Sequence, residues 1–343
     1  MFRDSALEDR ELQQFLQQMV LPERIQIQLP NPRKKVIVIA GPTAVGKTDL
    51  SLLVARSIGG EIVSADSMQV YRGMDIGTAK ITPSLRETIP HHLLDVRDLH
   101  QSFNVVEFWQ EATRAIEEIH ARGLMPVVVG GTGFYLHALL YGPPNSPPSV
   151  PEERRRWERE LEEKGGESLY KQLKELDPEY ACTITSNDKA KIVRALEIIS
   201  STGKKVSEFS KESFLDGQKY NFRCWFLHRP KELLYRRIEQ RCDEMIAEGL
   251  VNEVKELEQR GLRMNSSASQ AIGYRQCLEF LASKQAPDDW DHFVVSFKQA
   301  SKKYAKRQFT WFRKEPLFRW INREDVSFER CAEVILQDAE LSF

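Results

Sequence analysis

Apolar and polar positions alternate along this chain with two different periods, and the switches between them mark out its elements. Val36–Ala40 is an unbroken apolar run, followed by a glycine-containing loop and a helix-spaced segment reaching about Ile58. Gly59 and Gly60 end that segment, and Glu61–Ala65 returns as a second strand-like run. This order predicts a βαβ unit, and hence parallel strands covered on both faces. Asn104, three residues before Glu107, predicts a capping box opening a helix through Ala121, with Gly123 just past its end. Pro126–Val129 predicts another buried strand, and Cys224–Leu227 a return of the chain to the sheet. Long helices are expected at about 231–260 and 288–314. The fold expected from this alternation is an α/β parallel-sheet core.

One long stretch breaks the alternation. Pro143-Pro144-Asn145-Ser146-Pro147-Pro148 reads as a stiff exposed linker, and residues 151–202 then show charged helical patterns without a central-strand run. The expected organisation is an N-terminal extension (1–34), a phosphate-loop core (35–143), a helical insertion (144–221), and completion of the core with C-terminal helices (222–343). In the extension, Leu12, Phe15, Leu16 and Met19 keep helical spacing up to Pro22, and Ile25, Ile27 and Leu29 alternate like a short strand. No role follows from them.

Composition narrows the function classes. The chain has 343 residues, 41% hydrophobic and 29% charged, enough for a sizeable core. Its 49 basic and 50 acidic side chains nearly cancel, so a nucleic-acid ligand would have to meet a local basic surface. Five widely spaced cysteines form no Cys-x-x-Cys pair, which argues against a zinc ribbon or a disulfide framework. Reduced thiols, a mixed-charge N-terminus and no membrane-length apolar run lead to the expectation of a cytoplasmic protein without membrane attachment. A monomer is the default expectation.

Chemistry enters with Gly41-Pro42-Thr43-Ala44-Val45-Gly46-Lys47-Thr48, a full G-x-x-x-x-G-K-[ST] phosphate loop between a strand and a helix. Such a loop turns backbone N–H groups around phosphate oxygens, and the helix N-terminus adds positive potential. Lys47 supplies a cation, and the Thr48 hydroxyl suits Mg²⁺. Asp66 follows the second strand, where it can serve as a base, hold a water bound to a metal, or merely cap the next segment. Gly130-Gly131-Thr132-Gly133 ends the Pro126–Val129 strand without the carboxylate of an ATP hydrolase. Its glycines fit a close ligand or tight packing equally. Arg241, with Arg237 one turn earlier, matters only if it points at the phosphate loop. Ser296–Trp320 carries eight basic residues and one acid, dense enough for a polyanion surface as well as a solvated face.

Seven strings in order resemble the tRNA dimethylallyltransferases (tRNA isopentenyltransferases): GPTAVGKT, ADSMQVYRGMDIGTAK, HHLLD, VVVGGTGFYLHALLYG, NDKAKIVRALEI, QAIGYRQ and YAKRQFTWFRK. They span roughly residues 35–315, and the Cys/His tail of eukaryotic members is absent, so the resemblance is to the bacterial type. It implies a P-loop NTPase-like core with a helical insertion, and dimethylallyl diphosphate in place of ATP on the Gly41–Thr48 loop. It further implies Asp66 as general base toward an adenosine amine just 3′ of the anticodon. Thr43 would lie near the bridging oxygen, and Arg241, with Lys47, against the leaving diphosphate. Contacts to the tRNA anticodon stem-loop would fall on Asp66, Ser67, Met68, Gln69, Thr132, Arg154, Ala190, Lys191, Ile192, Val193, Arg194, Gln270, Ala271, Ile272, Gly273, Tyr274 and Arg275. The implied cofactor is Mg²⁺. The alternatives that fit the loop are a small-molecule P-loop kinase and an adenylate prenyltransferase.

Overall fold

The computed structural model describes residues 34–209 and 219–341; the helix and strand expected before Lys34 lie outside them. In chain order the elements are β1 (Lys34–Ala40), α1 (Lys47–Ser57), β2 (Glu61–Ser64), α2 (Pro83–Thr88), β3 (His91–His92), α3 (Val105–Ala121), β4 (Pro126–Gly130) and α4 (Gly133–Tyr141). Then come α5 (Pro151–Leu176), α6 (Pro178–Ala181), α7 (Lys189–Thr202) and β5 (Tyr220–His228). The chain closes with α8 (Lys231–Ala247), α9 (Leu250–Gln259), α10 (Tyr274–Leu281), α11 (Pro287–Phe312), β6 (Phe318–Asn322) and α12 (Phe328–Asp338).

The strands form one parallel sheet in the order β3-β2-β4-β1-β5-β6. β1 lies between β4 and β5, and Val36, Ile37, Val38, Ile39 and Ala40 are fully buried, which is why its apolar run does not alternate. β3 and β6 escaped the pattern reading because they are short edge strands, His-His and Phe-Arg-Trp-Ile-Asn, with no continuous apolar run. The Asn104 cap is present. Its Oδ1 accepts from the amides of Val106 (2.9 Å) and Glu107 (3.1 Å), and Glu107 Oε2 accepts from the Asn104 amide at 2.9 Å. The single helix expected over 231–260 is two, because Gly249 takes φ 105° and starts α9 in a new direction.

Two compact units divide the chain, the smaller being Pro143–Asp216. Within it α5 breaks at Gly165 (φ 77°), and Trp157, Leu169, Leu173, Ile192, Val193 and Leu196 form a separate core. Asp177 ties this unit together. Its carboxylate accepts from the Tyr180 amide (3.1 Å), the Ser207 amide (3.0 Å) and the Ser207 hydroxyl (2.7 Å). Burial alone would raise its pKa, but these donors hold it below the ordinary aspartate value. Asp177→Ala is expected to destabilise the unit by about 2 kcal/mol, from a lost cap and stranded donors, as read by chemical denaturation. Because the folded pKa is depressed, this stabilisation is complete above the ordinary aspartate pKa and is lost as pH falls through the folded value. Asp177→Asn should therefore flatten the acid limb of the stability profile.

Candidate active site

The phosphate loop, Asp66 and the Gly130–Thr132 turn leave the carboxyl ends of β1, β2 and β4, which are neighbours in the sheet. Ligands bind at that edge of an open parallel sheet. A cavity of about 580 Å³ opens there. Thr43–Thr48, Asp66–Gln69, Gly77–Ala79 and Gln270–Ile272 line it, with side chains of α8 and α11.

Two arginines hold the loop by its carbonyls. Arg237 Nε donates to Ala44 O at 3.0 Å and Arg229 Nε to Val45 O at 3.3 Å. Ala44 (φ 61°) and Gly46 (φ 97°) take the left-handed turns that curl the chain around an anion. Gln308 ties the loop to its neighbour: the Thr43 amide donates to its Oε1 (3.2 Å), and its Nε2 donates to Gly131 O (2.8 Å). A Cβ on Gly131 would lie 2.3 Å from that Nε2, and one on Gly133 2.4 Å from Trp311 Cδ1. Gly131 and Gly133 thus pack tightly against α11, while Gly130 and Gly131 also line the cavity, so packing and close approach of a ligand are both served.

Lys47 lies in the cavity and donates to Pro42 O at 2.8 Å. Burial, helped by the nearby Arg241 charge and opposed by Asp66, pulls its pKa down to about 7. Arg241 is drawn below its ordinary value by burial, with Asp49 and Asp66 among the charges favouring its cation. Both helical arginines thus address the loop, Arg237 through a carbonyl and Arg241 from the cavity wall. Two buried cations face the phosphate loop from one cavity, a setting suited to an anion.

Of the roles weighed for Asp66, the cap is visible in its hydrogen bonds, and a second oxygen stays open to the cavity. Oδ1 accepts from the amides of Met68 (2.8 Å) and Gln69 (3.2 Å), capping the turn, while Oδ2 takes no hydrogen bond from the described residues. Thr132 Oγ1 accepts from the Ser67 amide at 3.3 Å, and Tyr304 lines the cavity. Burial, with the Asp66 charge, pushes the Tyr304 phenol up to about 12.

Gly41 and Pro42 are buried under the loop, and Thr48 is exposed in the cavity mouth. Gln270, Ala271, Ile272 and Tyr274 line the cavity; Arg275 is exposed and pairs with Glu279 at 3.7 Å. Gly273 (φ 88°) turns the chain into α10. In the smaller unit, Ala190 and Lys191 are exposed in the first turn of α7, whereas Ile192 and Val193 are buried and offer no side-chain surface. Arg154 is half-buried and pairs with Glu158 at 3.0 Å. Arg194 bonds the Pro147 carbonyl and pairs with buried Glu197 at 2.8 Å, so it anchors the proline linker to α7. The basic segment divides as well: Lys298 and Lys302 pair with Asp243 and Glu239 of α8, and Arg319 with Asp338. Lys303, Lys306, Arg307, Arg313 and Lys314 enter no ion pair among the described residues. Helical spacing puts Tyr304 in an apolar stripe with Phe293, Phe297, Ala300 and Trp311, expected as core, yet it lines the cavity; Gln308, in the same YAKRQFTWFRK string, carries no local signal at all.

A parallel sheet with this loop, a carboxylate across β4 and room for a second substrate defines a P-loop-type phosphate-binding enzyme core. The chain belongs to the IPP transferase family, whose model matches residues 69–315. It is 56% identical over 332 residues to a tRNA dimethylallyltransferase of Protochlamydia amoebophila, covering 95% of this chain and 96% of that one. It is 45% identical over 307 residues to the tRNA dimethylallyltransferase of Chlamydia muridarum, covering 89% and 98%. Among solved structures it resembles the tRNA isopentenylpyrophosphate transferase of Bacillus halodurans (TM-score 0.66, 38% identity, 90% of this chain and 96% of that one). It also resembles a eukaryotic dimethylallyltransferase acting on tRNA (TM-score 0.70, 31% identity, 90% and 79%). Among the described residues no helix is long and apolar enough to cross a membrane.

Proposed function

We propose that this chain transfers a dimethylallyl group from dimethylallyl diphosphate to the exocyclic N6 amine of the adenosine 3′-adjacent to the anticodon in tRNA, releasing diphosphate. The observation that carries it is one cavity holding a phosphate loop, Lys47, Arg241 and an aspartate with an uncommitted oxygen. The loop amides, Lys47 and Arg241 bind the diphosphate. The adenine amine is a weak nucleophile, so its proton must leave as the new N–C bond forms. Asp66 Oδ2 takes that proton, the C–O bond to diphosphate breaks, and the cations meet the charge that gathers on the leaving group. Buried walls such as Met245 and Phe297 keep water from the allylic carbon.

Thr48 is the protein oxygen that would hold a Mg²⁺. No cluster of three or more His, Cys, Asp or Glu able to hold a metal occurs among the described residues, which fits an ion bound mainly by phosphate oxygens and water. Bound there, Mg²⁺ would neutralise part of the diphosphate charge. On the acceptor side, Asp66–Gln69, Thr132 and Gln270–Arg275 are assigned to the flipped adenosine and its loop. The exposed first turn of α7 and the unpaired cations of α11 are assigned to phosphates.

The test is incubation with labelled dimethylallyl diphosphate and unmodified tRNA, beside free AMP. Label on the anticodon-loop adenosine is expected; label on AMP alone would move the chain to the adenylate prenyltransferases, and none on either would end the proposal. Gln308→Leu removes the tie on Thr43 and should raise KM for the diphosphate roughly tenfold while leaving tRNA affinity unchanged, as steady-state kinetics and filter binding would show.

A further inference from the structure

The cavity wall opposite the phosphate loop is assembled around a residue that does not line it. Glu253, in the first turn of α9, turns its carboxylate onto three successive backbone amides. Oε2 accepts from Asp75 (3.0 Å) and Ile76 (2.6 Å), and Oε1 from Gly77 (3.2 Å). Oε1 also accepts from the Tyr274 hydroxyl at 2.6 Å. Three consecutive N–H groups around a carboxylate form an anion nest, here filled by the protein's own side chain. Tyr274 is fully buried directly against the Gly77 turn: a Cβ on Gly77 would lie 2.5 Å from its ring.

We propose that Glu253 is a positioning residue for the acceptor substrate, locking the Asp75–Gly77 turn and Tyr274 into one wall and, through that turn, setting Gln69 beside Asp66. The route is short. Gln69 Nε2 donates to Thr78 O (3.1 Å), one residue beyond the nest, and the Gln69 amide donates to Asp66 Oδ1 at 3.2 Å. Gly77, Thr78, Ala79, Gln69 and Tyr274 all line the cavity. Burial, with Glu253 beside it, raises the Tyr274 phenol well above its ordinary pKa, so it remains a donor. The first turn of a helix favours an acid in any case. That preference explains the charge but not the aim of the carboxylate at a loop far along the chain. The inference rests on the assignment of Ser67–Gln69 and Gln270–Tyr274 to the RNA side made above.

Glu253→Gln replaces one acceptor oxygen with an NH₂ that faces backbone donors. In the full chain, kcat/KM for tRNA is expected to fall roughly 10²-fold, the scale of an ångström-level misplacement. Affinity for an unreactive dimethylallyl thiolodiphosphate should stay within about twofold, because no member of the phosphate loop touches this network. Tyr274→Phe keeps the ring against Gly77 and loses one hydrogen bond, so its kcat/KM should fall about tenfold with donor affinity again unchanged. Unchanged kcat/KM in both variants would overturn the proposal. So would an equal loss of donor and acceptor binding, the mark of general destabilisation. If Glu253→Gln does not fold, Tyr274→Phe decides alone. Wild-type protein in the same assay keeps the two readings apart, since failure to prenylate tRNA there would sink the function itself.

Discussion

Asp66→Asn is expected to lower the single-turnover rate of prenyl transfer to tRNA roughly 10²–10⁴-fold, the range of a positioned general base. The substitution is chosen for its geometry. Asparagine keeps a carbonyl oxygen where Oδ1 accepts from the Met68 and Gln69 amides, so the turn after β2 survives. What it loses is the oxygen that takes no hydrogen bond from the described residues and can accept the amine proton. Donor binding should therefore persist, as measured with dimethylallyl thiolodiphosphate. Asp66→Ala removes both oxygens and should also loosen Ser67–Gln69, weakening tRNA binding as well. Full transfer by the asparagine variant would remove Asp66 from the proton's path.

The second large effect is expected at Arg241. Its guanidinium is drawn out of water beside Lys47, an arrangement unfavourable until an anion arrives. In the proposed reaction the diphosphate is that anion, and its charge would be greatest as the C–O bond breaks, so the arginine would stabilise the transition state more than the bound substrate. Arg241→Ala is expected to cost on the order of 10²–10³ in kcat, read from single-turnover rates with saturating donor. Arg241→Lys should recover part of that loss, because it restores the charge without the two-pronged fork. A kcat unchanged in Arg241→Ala, with only KM raised, would reassign the residue to ground-state binding.

The parts of the site that were legible in the sequence share a cause: each is a local pattern. The Gly41–Thr48 loop needs its glycines and lysine at fixed spacing whatever surrounds it, and Asp66 follows directly from the end of a strand. Asn104 and Glu107 form their cap within a single turn. Gln308 and Glu253 lie far along the chain from the groups they hold. Gln308 and Thr43 are 265 positions apart, and no helical or strand period relates them.

The sequence by itself determined the parallel α/β core, the phosphate loop at the end of its first strand and the carboxylate at the end of its second. Backbone geometry and side-chain periodicity act over a few residues and leave their mark there. Only the tertiary structure decided which cations face the loop. α8 turns Arg237 and Arg241 toward it, while its acids Glu239 and Asp243 hold Lys302 and Lys298 of α11. Likewise, only the tertiary structure packs Gly131 and Gly133 against Gln308 and Trp311. Helix rotation and helix-on-sheet packing are set by the whole core at once, so the identity of a charge can be read along the chain but its direction cannot.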